Sequence, residues 1–238
     1  DALPILSHAE DLRVVLFDAL GTLIEITSPV DVFQRVMADM GYDLTREQIR
    51  AAIRRAHQWW MSPTRVPGST SEAERADRQK YAAMFLEDLG IDHDSSLVDE
   101  VAERGNWARW VSVYPDVIPA LEALGRDYTL VVVTNGGPSM CDAINYAGLG
   151  RYFQEVFASW SVGYQKPDPR AYNVPLARLG YEPSQACFID DTPENVAGAM
   201  DCGIRAVLLD RKGEHQGWTG ERVSSLVEFA SLLAKREV

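Results

Sequence analysis

Cysteine is scarce in this 238-residue chain, which has only Cys141, Cys187 and Cys202. An odd, widely spaced set builds no disulfide framework and shows no zinc-ligand spacing. Cys187 lies in an apolar, strand-like run and reads as a buried, inert thiol, so the cytoplasm is the expected compartment. Long apolar runs are missing too, and nothing approaches the length that crosses a bilayer. The opening stretch DALPILSHAEDLR has neither the basic flank nor the long apolar centre of a secretion signal, so no membrane partner is expected. Lysine is almost absent, with four residues against a formal net charge of −12. So acidic a protein repels a polyphosphate backbone, which excludes nucleic acid as an expected partner. To handle a small anion, it must gather positive charge locally from a Lys, an Arg or a metal. Internal repeats and low-complexity tracts are absent, and nothing in the sequence fixes the oligomeric state.

Five short apolar runs are present, at 13–18, 129–134, 155–159, 186–190 and 204–210. Helix-like segments separate them. Strands alternating with helices predict an α/β fold with a Rossmann-like core, a mostly parallel sheet covered on both faces. Ligands of such sheets bind at the carboxyl ends of the strands, where Asp18, Thr134 and Asp190 all fall. Residues 27–112 instead read as helices without a strand. Pro29 starts one that runs to Met40. Thr45 and Gln48 form a capping box for another through Trp60. Two more are predicted over 72–89 and 96–111, and Pro63, Pro67 and Gly68 break the pattern between. The domain reading is therefore a core of 1–26 and 113–238, with a helical insert of 27–112.

Four stretches carry chemistry. In VVLFDALGTL, Asp18 emerges from a buried strand, where a lone carboxylate serves as nucleophile or metal ligand. In VVVTNGG, Thr134 and Asn135 sit on a tight turn whose hydroxyl and N–H groups can hold an anion, or merely cap a helix. In YQKPDPRAY, Lys166 precedes a proline and is either a point charge for a phosphate or carboxylate or a solvated surface group. In FIDDTPENVAGA, Asp190 and Asp191 close a strand. One Asp suffices for a helix cap. Two adjacent carboxylates invite a hard divalent cation, and oxygen ligands with retained waters suit Mg²⁺.

FDALGTL, VVTNG, KPDPRAY and FIDDTPENVAGA, in that order, resemble the four motifs of the haloacid dehalogenase-like (HAD) hydrolase superfamily, and the insert resembles its helical C1-type cap. The resemblance covers about 150 residues of core and implies a set of roles. Asp18 would be the nucleophile, forming a covalent aspartyl intermediate. The Leu20 carbonyl would help bind Mg²⁺, with Asp18 and Asp190 as direct ligands and Asp191 a direct or water-mediated one. Thr134 and Asn135 would contact the transferring group, and Lys166 would stabilise charge on nucleophile and phosphoryl oxygens.

The chain departs from that pattern at position 20. Most phosphatases of the superfamily carry a second Asp there, which protonates the leaving group and later activates water; here it is Leu20. The 2-haloacid dehalogenases also lack that Asp, and their first motif reads much like FDALGTL. They work without a metal, however, and have uncharged residues where this chain has Asp190-Asp191. Mg²⁺ screens phosphate and has no evident use in displacing chloride. The acidic pair outweighs Leu20, because losing general acid–base help slows turnover by roughly 10²–10⁴-fold without abolishing it. The expected function is a Mg²⁺-dependent phosphohydrolase acting on a small, anionic, phosphorylated metabolite with a good leaving group. The alternatives are a 2-haloacid dehalogenase and a metal- or ligand-binding protein that has lost turnover. In the insert, Trp59, Trp60, Trp107 and Trp110 either pack its own small core or line a substrate pocket. Arg46, Arg50 and Arg54 form a stripe read as a solvated face or a carboxylate reader, and His57 has no assigned role. A cap of this kind is expected to rock to admit substrate.

Overall fold

The structure, a computed structural model, describes residues 12–62 and 70–234. The predicted break at Pro63, Pro67 and Gly68 lies outside the described residues. Two compact units emerge. One comprises residues up to Glu25, Val113–Gly136 and residues from Gly148 onward; the other comprises Ile26–Ser112 and Gly137–Ala147.

The first unit is built on a parallel sheet. Its strands are β1 (Val14–Phe17), then, after β2 (Ile24–Ile26) and β3 (Val111–Val113), β4 (Thr129–Thr134), β5 (Glu155–Ala158), β6 (Ala186–Asp190), β7 (Arg205–Leu209) and β8 (Arg222–Val223). Their spatial order is β5-β4-β1-β6-β7-β8, and every neighbouring pair runs parallel. The central strands are continuously apolar because both faces are covered: all of β1 and β6 is buried, whereas β5 and β8 at the edges are buried only in part. Phe17 is level with Val132 of β4 and Ile189 of β6. The next residue of each strand therefore falls at the same height, which places Asp18 beside Asp190 at the carboxyl edge.

Helices α5 (Val117–Leu124), α7 (Ser159–Val162), α8 (Arg170–Leu179), α9 (Pro193–Asp201) and α10 (Leu226–Ala234) belong to this unit. A core of Val14, Leu16, Val131, Phe157, Tyr172 and Phe188 fills one buried cluster. Tyr172 meets Phe188 edge-on with centroids 5.4 Å apart, and its hydroxyl donates to the Asn195 carbonyl at 2.7 Å. That hydrogen bond ties α9 to α8.

The second unit contains α1 (Pro29–Asp39), α2 (Arg46–Trp60), α3 (Ser71–Asp88) and α4 (Ser95–Arg104). The capping box is present: the Gln48 N–H donates to the Thr45 hydroxyl oxygen at 3.2 Å and the Thr45 N–H to Gln48 Oε1 at 2.9 Å. Phe33, Met37, Ile49, Ile53, Phe85 and Leu86 form this unit's core, with Trp59 and Trp60 packed against it. Trp60 lies edge-on to Tyr81, and the Trp110 indole N–H donates to the Arg104 carbonyl at 2.6 Å. Trp59 and Trp60 thus serve the unit's own packing. Arg46, Arg50 and Arg54 are all exposed, and Arg46 pairs with Asp31.

Two departures from the sequence reading stand out. The helix predicted over 96–111 ends at Arg104. Gly105 is packed so close to Phe33 that a Cβ would lie 2.8 Å from its ring, and the Asn106 side chain accepts the Ala108 N–H to start a separate 3₁₀ turn. The β-branched Val111 and Val113 then form β3, which pairs with β2 as a two-stranded ribbon. Within the helical unit Thr27 donates to the Trp110 carbonyl at 2.8 Å beside it. The second departure is α6 (Ser139–Tyr146), which the sequence reading placed with the core. It groups with the helical unit because Glu74 accepts both the N–H and the hydroxyl of Ser139, and Arg109 lies over the Tyr146 ring at 4.7 Å.

Candidate active site

Asp18 follows β1, Thr134 ends β4, Asp190 ends β6, and Lys166 arrives from the loop before α8. Lys166 is the junction. Its Nζ donates to Asp18 Oδ1 at 2.7 Å and to Asp190 Oδ2 at 2.6 Å, and its side chain is 1% exposed. The surface reading of Lys166 therefore fails. Thr134 donates its hydroxyl to the same Asp18 oxygen at 3.1 Å. Asp18 Oδ1 thus holds two donors, while Oδ2 accepts no hydrogen bond among the described residues.

Asp190 is fully buried. Its Oδ1 accepts the Thr192 N–H at 2.8 Å, and its Oδ2 accepts the Asn195 amide at 3.0 Å alongside Lys166. Asp191 is half-buried and packs against the turn after β1. Gly21 there has φ +84°, and a Cβ on it would lie 2.0 Å from Asp191 Oδ2. Only glycine meets both demands, a left-handed backbone and an approach this close. Asn135 commits both ends of its amide to the backbone of Lys166: Oδ1 accepts the Lys166 N–H at 2.8 Å and Nδ2 donates to its carbonyl at 2.9 Å. Ser159 holds the same loop, its hydroxyl accepting from the Gly136 N–H at 3.0 Å and donating to the Gly136 carbonyl at 3.2 Å.

One oxygen from each of Asp18, Asp190 and Asp191 lies within 4.8 Å of the others. Three carboxylates against one ammonium leave a formal excess of two negative charges. Burial pushes the Asp18 carboxyl up from 3.8 to about 6; Lys166 opposes that shift and Asp190 adds to it. Asp191 is raised by burial and by Asp190. Burial alone would lower the Lys166 ammonium, but Asp18 and Asp190 outweigh it and hold its pKa above the ordinary value. An oxygen-only donor set with two uncompensated charges fits a hard divalent cation. The Leu20 carbonyl, which accepts no hydrogen bond among the described residues, is a fourth oxygen in the same turn.

A family profile described as haloacid dehalogenase-like hydrolase matches residues 12–203. The chain belongs to the haloacid dehalogenase-like hydrolases. Among HAD relatives, (S)-2-haloacid dehalogenase 4A of Burkholderia cepacia is 27% identical over 95% of this chain and 96% of its own. Glyceraldehyde 3-phosphate phosphatase of Methanopyrus kandleri is 25% identical over 86% of each chain. The crystal structure of a HAD phosphatase from Thermococcus onnurineus superposes with a TM-score of 0.62 at 26% identity, covering 95% of this chain and 100% of that one. Both reaction types thus occur among the HAD hydrolases this chain is similar to, at comparable identity.

The geometry adds residues that the motif reading left without a role. Asn195 sits inside the fourth motif, yet its bond to Asp190 arises only when β6 turns into α9. Arg211, which donates to the Gly21 and Thr22 carbonyls, belongs to no motif and carries no local signal.

Proposed function

We propose that this hydrolase is a Mg²⁺-dependent phosphohydrolase, acting on a small phosphorylated metabolite through an aspartyl-phosphate intermediate. The observation that carries the reading is the triad of carboxylate oxygens within 4.8 Å, balanced by a single ammonium. Displacing a halide needs no such excess of negative charge, whereas a phosphoryl group needs a cation to approach it. Asp18, the Leu20 carbonyl, Asp190 and Asp191 would hold Mg²⁺, which supplies the positive charge that screens phosphate from the carboxylates.

Lys166 and Thr134 fix Asp18 through Oδ1, leaving Oδ2 to attack phosphorus. The new O–P bond forms as the bond to the leaving oxygen breaks. Lys166 and the Thr134 hydroxyl offset charge around the nucleophile and the phosphoryl oxygens. No carboxyl at position 20 can protonate the leaving group, so good leaving groups, such as acyl and aryl phosphates, depart fastest. Water then attacks phosphorus, releasing phosphate and regenerating the Asp18 carboxylate. Without a base at position 20 this second step is slow. The three free thiols fit a reducing cytoplasm, and among the described residues no helix is long and apolar enough to cross a membrane.

Leu20 favours a second reading, carbon–halogen hydrolysis of a 2-haloacid, in which Asp18 attacks carbon and a halide leaves without a proton. Phosphate release from acetyl phosphate and p-nitrophenyl phosphate, with Mg²⁺ and with EDTA, separates the two. Mg²⁺-dependent release that vanishes in Asp18→Asn is expected. Metal-independent halide release from 2-haloacids, with no phosphate release, selects the second reading instead.

A further inference from the structure

The loop after β7 sends one side chain back across 190 residues to the turn that follows the nucleophile. Arg211 uses all three of its guanidinium nitrogens there. Nε donates to the Gly21 carbonyl at 3.3 Å and Nη2 to the Thr22 carbonyl at 2.8 Å. Nη1 meets both oxygens of Asp116, at 3.0 and 2.9 Å. The guanidinium also lies 4.1 Å from the centroid of the Tyr114 ring. Asp116 is anchored in turn by the Leu226 N–H at 2.6 Å. A planar fork serving two carbonyls, a carboxylate and a ring face is a task for arginine that lysine cannot repeat.

What the clamp grips is the backbone directly after Leu20. The Asp191 carboxylate occupies the space that a side chain at Gly21 would need. A displacement of this turn therefore shifts the Leu20 carbonyl and the surface against which Asp191 rests. Arg211 itself touches none of the three clustered carboxylates.

We infer that Arg211 is a positioning residue for the cation site, fixing the Leu20–Thr22 turn so that its carbonyl and Asp191 converge with Asp18 and Asp190. The inference rests on the Mg²⁺ reading above. It predicts that loosening the clamp weakens metal binding without removing a ligand.

The test is Mg²⁺ titration calorimetry on the wild type, Arg211→Met and Arg211→Lys, with melting temperatures measured in parallel. The control is Arg205→Met, which breaks a comparable two-bond pair with Glu221 in the same unit, away from the turn. Residues that orient metal ligands typically contribute about 10–100-fold in affinity, so a weakening of that size is expected for Arg211→Met, and a smaller one for Arg211→Lys. Arg205→Met should lower the melting temperature yet keep the wild-type affinity. Should Arg211→Met fail to fold, Arg211→Lys decides alone, with a Mg²⁺ affinity weaker than the wild type's expected. Unchanged affinity in the folded Arg211 variants, or an equal loss in Arg205→Met, overturns the inference while leaving the Mg²⁺ reading intact. A wild type that binds no Mg²⁺ removes both.

Discussion

Arg55 meets Glu87 at 2.7 Å in the helical unit, and Lys166 meets Asp18 at the same 2.7 Å at the end of the sheet. By distance the two ion pairs are equivalent. The first has both side chains about half exposed, as do Arg104–Glu100 and Arg109–Glu103 nearby. Water screens such pairs, and holding two long side chains in register costs entropy, so they contribute little. The second is nearly sealed, and one ammonium serves two carboxylates with a third close by. Desolvating those charges opposes folding, and their mutual attraction offsets it only while every partner remains. The lesson is that charge count and burial, rather than contact distance, separate a surface ornament from a site built to act on another charge.

The sharpest way to break this comparison is to delete the shared cation. Lys166→Met leaves Asp18 and Asp190 buried without a cationic partner, with only the neutral donors Thr134, Thr192 and Asn195, and a loss of about 3–5 kcal/mol is expected from urea unfolding near neutral pH. A variant with wild-type stability would mean that the carboxylates are not paired in solution as the geometry has them.

The next effect follows from pH. Asp18 titrates near 6 in the folded chain against 3.8 ordinarily. Below the lower value both folded and unfolded chains hold the proton, and there is no penalty. Between the two values the unfolded chain releases it while the folded chain keeps it, so stability falls as pH rises. Above about 6 the loss is complete, on the order of 3 kcal/mol from this group. Mg²⁺ favours the carboxylate and should reverse the trend. The metal is therefore expected to raise the melting temperature more at pH 7 than at pH 5, and to release protons when added near pH 5.5. Equal gains at both pH values would count against Asp18 as the titrating ligand.

A smaller change separates holding Lys166 from contacting a ligand. Asn135→Ala removes both hydrogen bonds to the Lys166 backbone, and about 1–3 kcal/mol of stability should go with them. Turnover should fall by more than KM rises, since the displaced lysine acts where charge develops at the reacting atoms; a rise in KM alone would instead favour a direct substrate role for Asn135. At the far end of the scale, Arg55→Met should leave the melting temperature nearly where it was. A large drop there would erase the contrast between the two units.

Much of this architecture is written locally. The runs that become β1, β4, β6 and β7 are mostly apolar because each is buried on both faces, and two helices of the insert announce their starts, α1 by Pro29 and α2 by the Thr45–Gln48 capping box, whereas the caps of α3 and α4, Thr70 and Asp94, went unread. β8 has two residues and β3 three, too few for any periodicity to register. The placement of α6 depends on Glu74 accepting from Ser139, a partnership 65 positions apart that no local pattern announces. The site divides in the same way. Asp18, Thr134, Asp190 and Asp191 could be singled out only as a set: each alone reads as well as a helix cap or strand-end turn, and it is their recurrence at the carboxyl ends of neighbouring strands that draws them together. A lysine before a proline reads equally well as solvated, and only the fold decides. Asn195 reaches Asp190, five residues earlier, only once β6 turns into α9, and Arg211 reaches the turn after β1 by tertiary approach alone.

The β2–β3 ribbon has a consequence for modularity. The chain departs along Ile24–Ile26 and comes back along Val111–Val113 as the neighbouring strand, so the two junctions of a long excursion lie roughly one strand spacing apart, about 4.8 Å. A short turn could bridge that gap, and a different excursion could be spliced across it, while the registers of the parallel sheet stay as they are. Lengthening such an excursion adds only a slowly growing, logarithmic entropy cost. The ribbon thus works as a socket, at which one excursion can be exchanged for another without re-threading the sheet.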